Sequence, residues 1–254
     1  MIRKYLMLAY AAGAYVVALV NIAYIVGFLA DFGVPKSISD GDPAPVWIAV
    51  AIDAGLIGLF GVHHSITART SFKRWWTKFI PAPIERATYL YMTAAMTVLL
   101  VVLWRPIPIT IWEVLSVWLA GLIYAAYLAT WVMMFSATFH FGHFGFFGLA
   151  QAWENFRTTP PRPSTMMARY LYAIIRHPIS LGWMTTPLIT PHLTGGHLVF
   201  AAATFAYIIL ATRFEEADLI EDLGESYRTY RERVPAFVPF LKKRGQSGAT
   251  TPAE

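Results

Sequence analysis

The sequence predicts an all-α polytopic membrane bundle of about six spans, and three observations carry that expectation. The 254-residue chain is 57% hydrophobic and only 14% charged, against about 25% charged residues in soluble domains, and its mean hydropathy is +0.50. Apolar runs long enough, or nearly so, to cross a hydrocarbon core about 30 Å thick recur from end to end. The basic residues segregate by loop: of 20 Lys and Arg, all but Lys36 and Arg105 fall in the N-terminus, the second-to-third and fourth-to-fifth connections and the tail. Lipid offers open backbone groups no partner, so such runs are read as helices.

The spans are expected at residues 5–30, 46–63, 87–104, 109–135, 178–194 and 197–212. Met1-Ile2-Arg3-Lys4 is a basic start, but the run from Tyr5 to Ala30 is too long for the apolar part of a signal peptide and is read as the first span. The last two are short and separated only by Thr194-Gly195-Gly196. They read as a tight helical hairpin with Pro187 and Pro191 bending its first arm, the alternative being a re-entrant pair.

By the positive-inside rule both termini face the cytoplasm, as expected for a protein of the cell (inner) membrane. The first outside loop carries Asp31, Asp40 and Asp42. Residues 64–86 mix Arg69, Lys73, Arg74, Trp75, Trp76 and Lys78, which suits an anionic headgroup layer and which interfacial anchoring alone also explains. Pro-rich residues 154–169 are expected as an irregular segment over the cytoplasmic mouth. Residues 1–243 read as one transmembrane domain and 244–254 as a disordered tail. The chain has no cysteine, which removes disulfides, thiolate metal sites and a Cys nucleophile together. The net charge of +5 is explained by loop asymmetry, so no nucleic-acid partner is expected, while contact with membrane lipid is.

The densest chemistry is Arg176-His177-Pro178-Ile179-Ser180-Leu181-Gly182 at the start of the fifth span. Pro178 suits a first helical turn, whose open N–H groups favour an anion. Arg176 adds a fixed cation and His177 a tunable donor, and Gly182 lets a ligand or a neighbouring helix approach the backbone. If the hairpin closes, Arg213-Phe214-Glu215-Glu216 returns to the same level. A site with charges of both signs matches the carboxylate, ammonium, sulfonium and ribose hydroxyls of S-adenosyl-L-methionine.

These elements, with Leu223-Gly224-Glu225-Ser226-Tyr227-Arg228-Thr229-Tyr230 and Val234-Pro235, resemble the C-terminal signature of the isoprenylcysteine carboxyl methyltransferase and phospholipid methyltransferase superfamily. The resemblance implies that the last two helices and the tail enclose S-adenosyl-L-methionine, with Arg176, His177, Pro178, Gly182, Glu215 and Glu216 around it. Ser180 stands where that superfamily usually has Tyr, and Tyr172 is the nearby residue placed to supply the missing hydroxyl.

Two further patches narrow the acceptor. His63-His64-Ser65-Ile66-Thr67-Ala68-Arg69 with Phe72-Lys73-Arg74-Trp75-Trp76 and Pro83-Ile84-Glu85-Arg86-Ala87-Thr88-Tyr89 forms the first, and His143-Phe144 with Phe147-Gly148-Leu149 and Gln151 the second. Both are similar to the methanethiol S-methyltransferase branch and its NnrU-type relatives, so the resemblance spans roughly residues 60–240. In the second patch Gly142, Gly145 and Ala150 stand where that branch tends to carry polar or charged residues. The resemblance implies a small thiol, methanethiol, as substrate and dimethyl sulfide as product.

His64, Glu85, Arg86 and His143 all fall at the expected cytoplasmic boundary. A thiol must lose its proton to become the nucleophile, and a neutral imidazole, His143 or His64, is the expected base. Glu85, Arg86, Phe144 and Phe147 are the expected acceptor-binding residues, within an aromatic run of Phe139, Phe141, Phe144, Phe146 and Phe147 that packing alone would also explain. His140 has the weaker claim and is read as facing solvent. The histidines lack metal-ligand spacing, so no metal is expected. Asp53, midway along the second span, reads as a buried hydrogen-bonded acid, a pocket residue or a helix contact. The rival functions are a prenylcysteine or phospholipid methyltransferase and a non-catalytic denitrification-associated or transport protein. Nothing in the sequence bears on oligomeric state.

Overall fold

Apolar composition and charge placement produce five long helices, α1 (Ile2–Ala30), α2 (Val46–Ala68), α4 (Glu85–Leu103), α5 (Val117–His140) and α10 (Gly195–Leu223), each long and apolar enough to cross a membrane. The computed structural model describes residues 1–140, 142–160 and 169–239. Phe141, residues 161–168 of the Pro-rich segment and the tail after Lys243 lie outside the described residues. Short helices α3 (Thr70–Trp76), α6 (His143–Phe146), α7 (Leu149–Arg157), α8 (Leu171–Ile174), α9 (Pro178–Thr185) and α11 (Glu225–Arg233), with strands β1 (Thr110–Glu113) and β2 (His192–Thr194), complete the chain. The Pro-rich stretch is therefore helical as far as Arg157, not irregular from residue 154.

The expected fifth span is not a helix arm. Pro178 opens α9 at its first turn, but the helix ends at Thr185, where Pro187 cannot donate the next backbone bond; a 3₁₀ turn over Thr186–Leu188 follows. The chain then extends into β2, which pairs antiparallel with β1, matching Thr110 with Thr194 and Glu113 with His192. The expected fourth span accordingly starts late, at Val117, because residues 110–113 belong to this ribbon. Residues 178–194 nevertheless cover the depth of a span. They lead from His177, bonded to Glu216, to Gly195 at the other end of the same helix α10, and 21 helical residues rise roughly 30 Å. Irregular backbone at that depth survives only when protein covers it, and Thr186, Pro187 and Thr190 are all buried.

Helix neighbours follow a closed order: α1 packs on α4, α4 on α2, α2 on α10, α10 on α9 and α9 on α5. Hydrogen bonds from Tyr127 Oη to Val26 O at 2.6 Å and from Tyr124 Oη to Ala30 O at 3.3 Å bring α5 back to α1. The half of the ring nearer the ribbon is filled by Ile25, Phe28, Ile57, Leu100, Trp104, Tyr127, Trp131 and Phe200. Outward-facing residues such as Trp118, Leu122, Val132 and Leu210 stay exposed, as lipid-facing residues do.

The ribbon end carries its own polar cluster. Lys36 Nζ donates to the C-terminal carbonyls of α4 at Val102 and Trp104, where a cation is favoured by the helix dipole. Asp53, fully buried, accepts from Arg105 N at 2.9 Å through Oδ1. It is therefore the hydrogen-bonded acid of the sequence alternatives and ties α2 to the end of α4. His197 bonds Thr194 and Leu29 O, fixing the start of α10 against the end of α1.

Candidate active site

The opposite half of the ring gathers the polar and aromatic residues that sequence reasoning singled out. His143 opens α6, just beyond α5, because Gly142 at φ +82° lets the chain turn sharply there. Its ring is only 5% exposed and stacks on Phe139 with centroids 4.4 Å apart. Phe135, Phe144, Phe147 and Tyr15 of α1 pack around it edge-on or tilted. Both ring nitrogens have hydroxyl partners, Thr138 Oγ1 at 2.7 Å from Nδ1 and Tyr15 Oη at 2.9 Å from Nε2. Burial holds the His143 imidazole below its ordinary pKa, which favours the neutral, proton-accepting form.

His64 lies in the last turns of α2, stacked on Phe60, and meets the Tyr89 hydroxyl of α4 at 2.8 Å from Nε2 and 2.9 Å from Nδ1, a single hydroxyl serving one nitrogen at a time. Arg86, one turn before Tyr89, lays its guanidinium over the Tyr89 and Phe146 rings and donates from Nε to Phe146 O at 2.9 Å. Gly148, at φ +80°, brings the α6–α7 corner against the Ala87 backbone and the Arg86 side chain; a Cβ there would lie 3.0 Å from Ala87 N. The two acceptor patches are thus joined through Arg86, Phe146 and Phe147.

The hairpin residues divide into two groups. Glu216 Oε1 accepts from Arg176 Nε at 2.7 Å and His177 Nε2 at 3.0 Å, and Arg231 approaches its other oxygen at 3.8 Å. Arg176 also donates to Arg231 O and Val234 O at the end of α11, while Arg176 N and His177 N donate to Pro235 O and Ala236 O. Arg176 and Glu216 therefore fasten the C-terminal segment. The backbone donors of residues 176 and 177, just before the turn expected to favour an anion, are engaged by Pro235 O and Ala236 O. Glu215 differs: its side chain is 58% exposed, with His177 Nδ1 3.7 Å away.

Gly182 faces Met134 of α5, and a Cβ at Gly182 would lie 2.2 Å from its sulfur. The neighbouring helix is thus one approach that Gly182 allows. Tyr172 is buried and stacks with His140 at 4.7 Å, so His140 faces an aromatic partner and not simply solvent. Burial, with the Glu215 carboxylate adding to it, pushes the Tyr172 hydroxyl well above the usual phenol range, keeping it a donor. Tyr172 O in turn accepts from Tyr230 Oη at 2.6 Å.

Sequence reading missed Tyr15, Thr138, Tyr89 and Tyr207. The last bonds Ser65 at 3.0 Å and packs so tightly on Gly61 that a Cβ there would lie 2.4 Å from its ring. No local motif marks Tyr15, Thr138 or Tyr207, and Tyr89 stood in the first patch without a role assigned to it. A cleft of about 420 Å³ lined by Ile66, Arg69, Ser71, Phe72 and Trp75 lies at the basic-aromatic stretch and contains none of the histidines.

No family model matches the chain, nor does any solved structure. Among curated proteins it is 41% identical over 241 residues to a methanethiol S-methyltransferase of a Pseudomonas species, covering 94% of this chain and 91% of the relative. It is 39% identical over 238 residues to the methanethiol S-methyltransferase of Mycobacterium tuberculosis, covering 94% of this chain and 98% of that one. The chain belongs to the methanethiol S-methyltransferase family. More distantly, it is 24% identical over 224 residues to Nurim of Sus scrofa, covering 84% of this chain and 85% of Nurim. The ring brings the two acceptor patches and the Arg176–His177 and Glu215–Glu216 cluster to one end of the bundle.

Proposed function

We propose that this chain methylates methanethiol to dimethyl sulfide, using S-adenosyl-L-methionine, at the cytoplasmic end of the bundle. The observation that carries the reading is near-full-length similarity of about 40% to proteins bearing that activity in their names, in a fold that collects His64, Arg86, His143 and Glu215 in one half of the ring. The N-terminus, residues 225–239 and most of the basic residues of the described loops lie in that half, which supports a cytoplasmic assignment.

The donor set fits S-adenosyl-L-methionine chemically: exposed Glu215 for hydroxyl or cationic groups, His177 beside it, and the Tyr172–His140 aromatic pair as a face for a base. When bound, it supplies an electrophilic methyl on a sulfonium. Arg176 and Glu216 hold the tail, with Pro178 setting the start of α9, so that these groups keep their places. Phe144 and Phe147 wall the acceptor side, and the fixed charge of Arg86 favours a thiolate over a thiol. His143 or His64 takes the thiol proton. Positioning the nucleophile about 3–3.5 Å from the methyl carbon supplies much of the remaining acceleration. Glu85, which opens α4 next to Arg86, completes the acceptor rim.

Purified protein given methyl-labelled S-adenosyl-L-methionine with methanethiol, an S-prenylated cysteine and phosphatidylethanolamine in competition tests this reading. Label is expected in volatile dimethyl sulfide alone. Label in a methyl ester or a lipid would replace methanethiol with that acceptor.

A further inference from the structure

Hydrogen counting around His143 identifies a residue that the sequence did not. Thr138 Oγ1 has one proton and donates it to Phe135 O at 2.7 Å, a carbonyl that can only accept. Its 2.7 Å contact with His143 Nδ1 therefore has Nδ1–H as the donor. A neutral imidazole protonated at Nδ1 has its lone pair on Nε2. The 2.9 Å contact at Nε2 is consequently a hydrogen bond donated by Tyr15 Oη. The basic nitrogen of His143 is thus covered by a tyrosine hydroxyl, and the ring around it is walled by Phe135, Phe139, Phe144 and Phe147. His143 is buried while Tyr15 is only half-buried.

We propose that Tyr15 is the catalytic residue that meets the acceptor thiol, and that His143 receives the proton through the Tyr15 hydroxyl. This rests on the thiol methyltransferase reading. As the acceptor S–H bond breaks, its proton passes to Tyr15 Oη while the Tyr15 proton moves to His143 Nε2. The acceptor sulfur forms its bond to the methyl carbon, and the electron pair of the broken sulfonium C–S bond stays on the donor's sulfur. The resulting imidazolium loses its proton to solvent before the next turnover. Thr138 acts through His143, so it is a positioning residue: by accepting from Nδ1 it keeps the lone pair on the nitrogen facing Tyr15.

The test compares Tyr15→Phe, His143→Gln and the double variant in purified full-length protein, with methanethiol methylation followed across pH. Tyr15→Phe keeps the ring that packs on Phe144 and Phe147, and unchanged donor affinity by calorimetry shows that it folds. The expected result is about a 100-fold loss of kcat near neutral pH with little change in KM, within the usual contribution of a positioned proton acceptor. The loss should shrink as pH approaches the thiol pKa, where thiolate forms without help. The double variant should lose no more than either single one. As a second handle, Thr138→Val should reduce kcat about 10-fold with the same recovery at high pH. Wild-type turnover in Tyr15→Phe at all pH values, or losses that multiply in the double variant, overturns the relay while leaving the function intact. Wild-type protein that forms no dimethyl sulfide overturns the function reading instead, and the relay with it.

Discussion

Arg176 and Glu216, forty residues apart in sequence, form a bidentate pair through Nε and Nη2 on a single carboxylate oxygen, at 2.7 and 2.6 Å. Both side chains are about 10% exposed, so neither charge is well solvated alone. The pair holds α9 against α10 and, through the remaining donors of Arg176, secures the C-terminal end of α11.

Replacing Glu216 by Ala should therefore destabilise the protein by about 3–5 kcal/mol, the usual cost of leaving a buried charge without its partner. Thermal unfolding in detergent measures this. Limited proteolysis should cut residues 225–237 faster in the variant, because Arg176 loses the anion that orients it toward Arg231 O and Val234 O.

Glu215 should behave in the opposite way. Among the described residues, its exposed carboxylate supports no fold contact apart from the 3.7 Å approach of His177. Glu215→Gln is expected to leave unfolding unchanged and to weaken S-adenosyl-L-methionine binding about 10-fold, roughly 1.4 kcal/mol. Titration calorimetry with the donor and its demethylated product checks both halves of that expectation.

The pH dependence follows from the direction of the His143 shift. Burial lowers its pKa below the ordinary value near 6.5, so the imidazole remains a competent base below that pH. Turnover should fall on the acid side with an inflection below about 6.5, and His143→Gln should abolish that limb. Stability carries a matching sign. Between the lowered folded value and the unfolded one, the unfolded chain binds more protons, so stability declines as pH drops through that window and is fully present above it.

Gly182→Ala sets two effects against each other. Alanine favours a helix over glycine by up to about 1 kcal/mol, but its Cβ would lie within 2.3 Å of both the sulfur and Cγ of Met134. Overpacking typically costs about 1–3 kcal/mol, so a net loss of stability is expected. A double-mutant cycle with Met134→Ala should show coupling between the sites; strict additivity would mean that α5 does not touch α9 there.

Five of the six expected spans were legible because each is a continuous apolar helix whose ends carry charge, Pro or Gly. The crossing at residues 178–194 was not, since an apolar run of that length does not distinguish a helix from a broken segment buried among other helices. Only tertiary cover over Thr186 and Pro187, and the pairing of Thr110 with Thr194, makes the break tolerable. In the same way, His64, His143, Arg86 and Glu215 stood out as polar groups at apolar boundaries. Tyr15 did not, because a tyrosine inside a long apolar helix has no mark of its own; its partner lies 128 residues away. Arg176 was legible as a charge, but its hold on the C-terminal segment was not, because Glu216, Arg231 and Val234 lie 40 to 58 residues away in sequence.

The most direct measurement is gas chromatography of the headspace over detergent-purified protein supplied with methanethiol and S-adenosyl-L-methionine carrying a deuterated methyl group. The structure and its relatives lead to dimethyl sulfide with one labelled and one unlabelled methyl, formed by the wild type and strongly reduced in His143→Gln near neutral pH. Donor binding without any labelled dimethyl sulfide, under conditions where the protein remains folded, would contradict the assignment of this chain as a methanethiol S-methyltransferase.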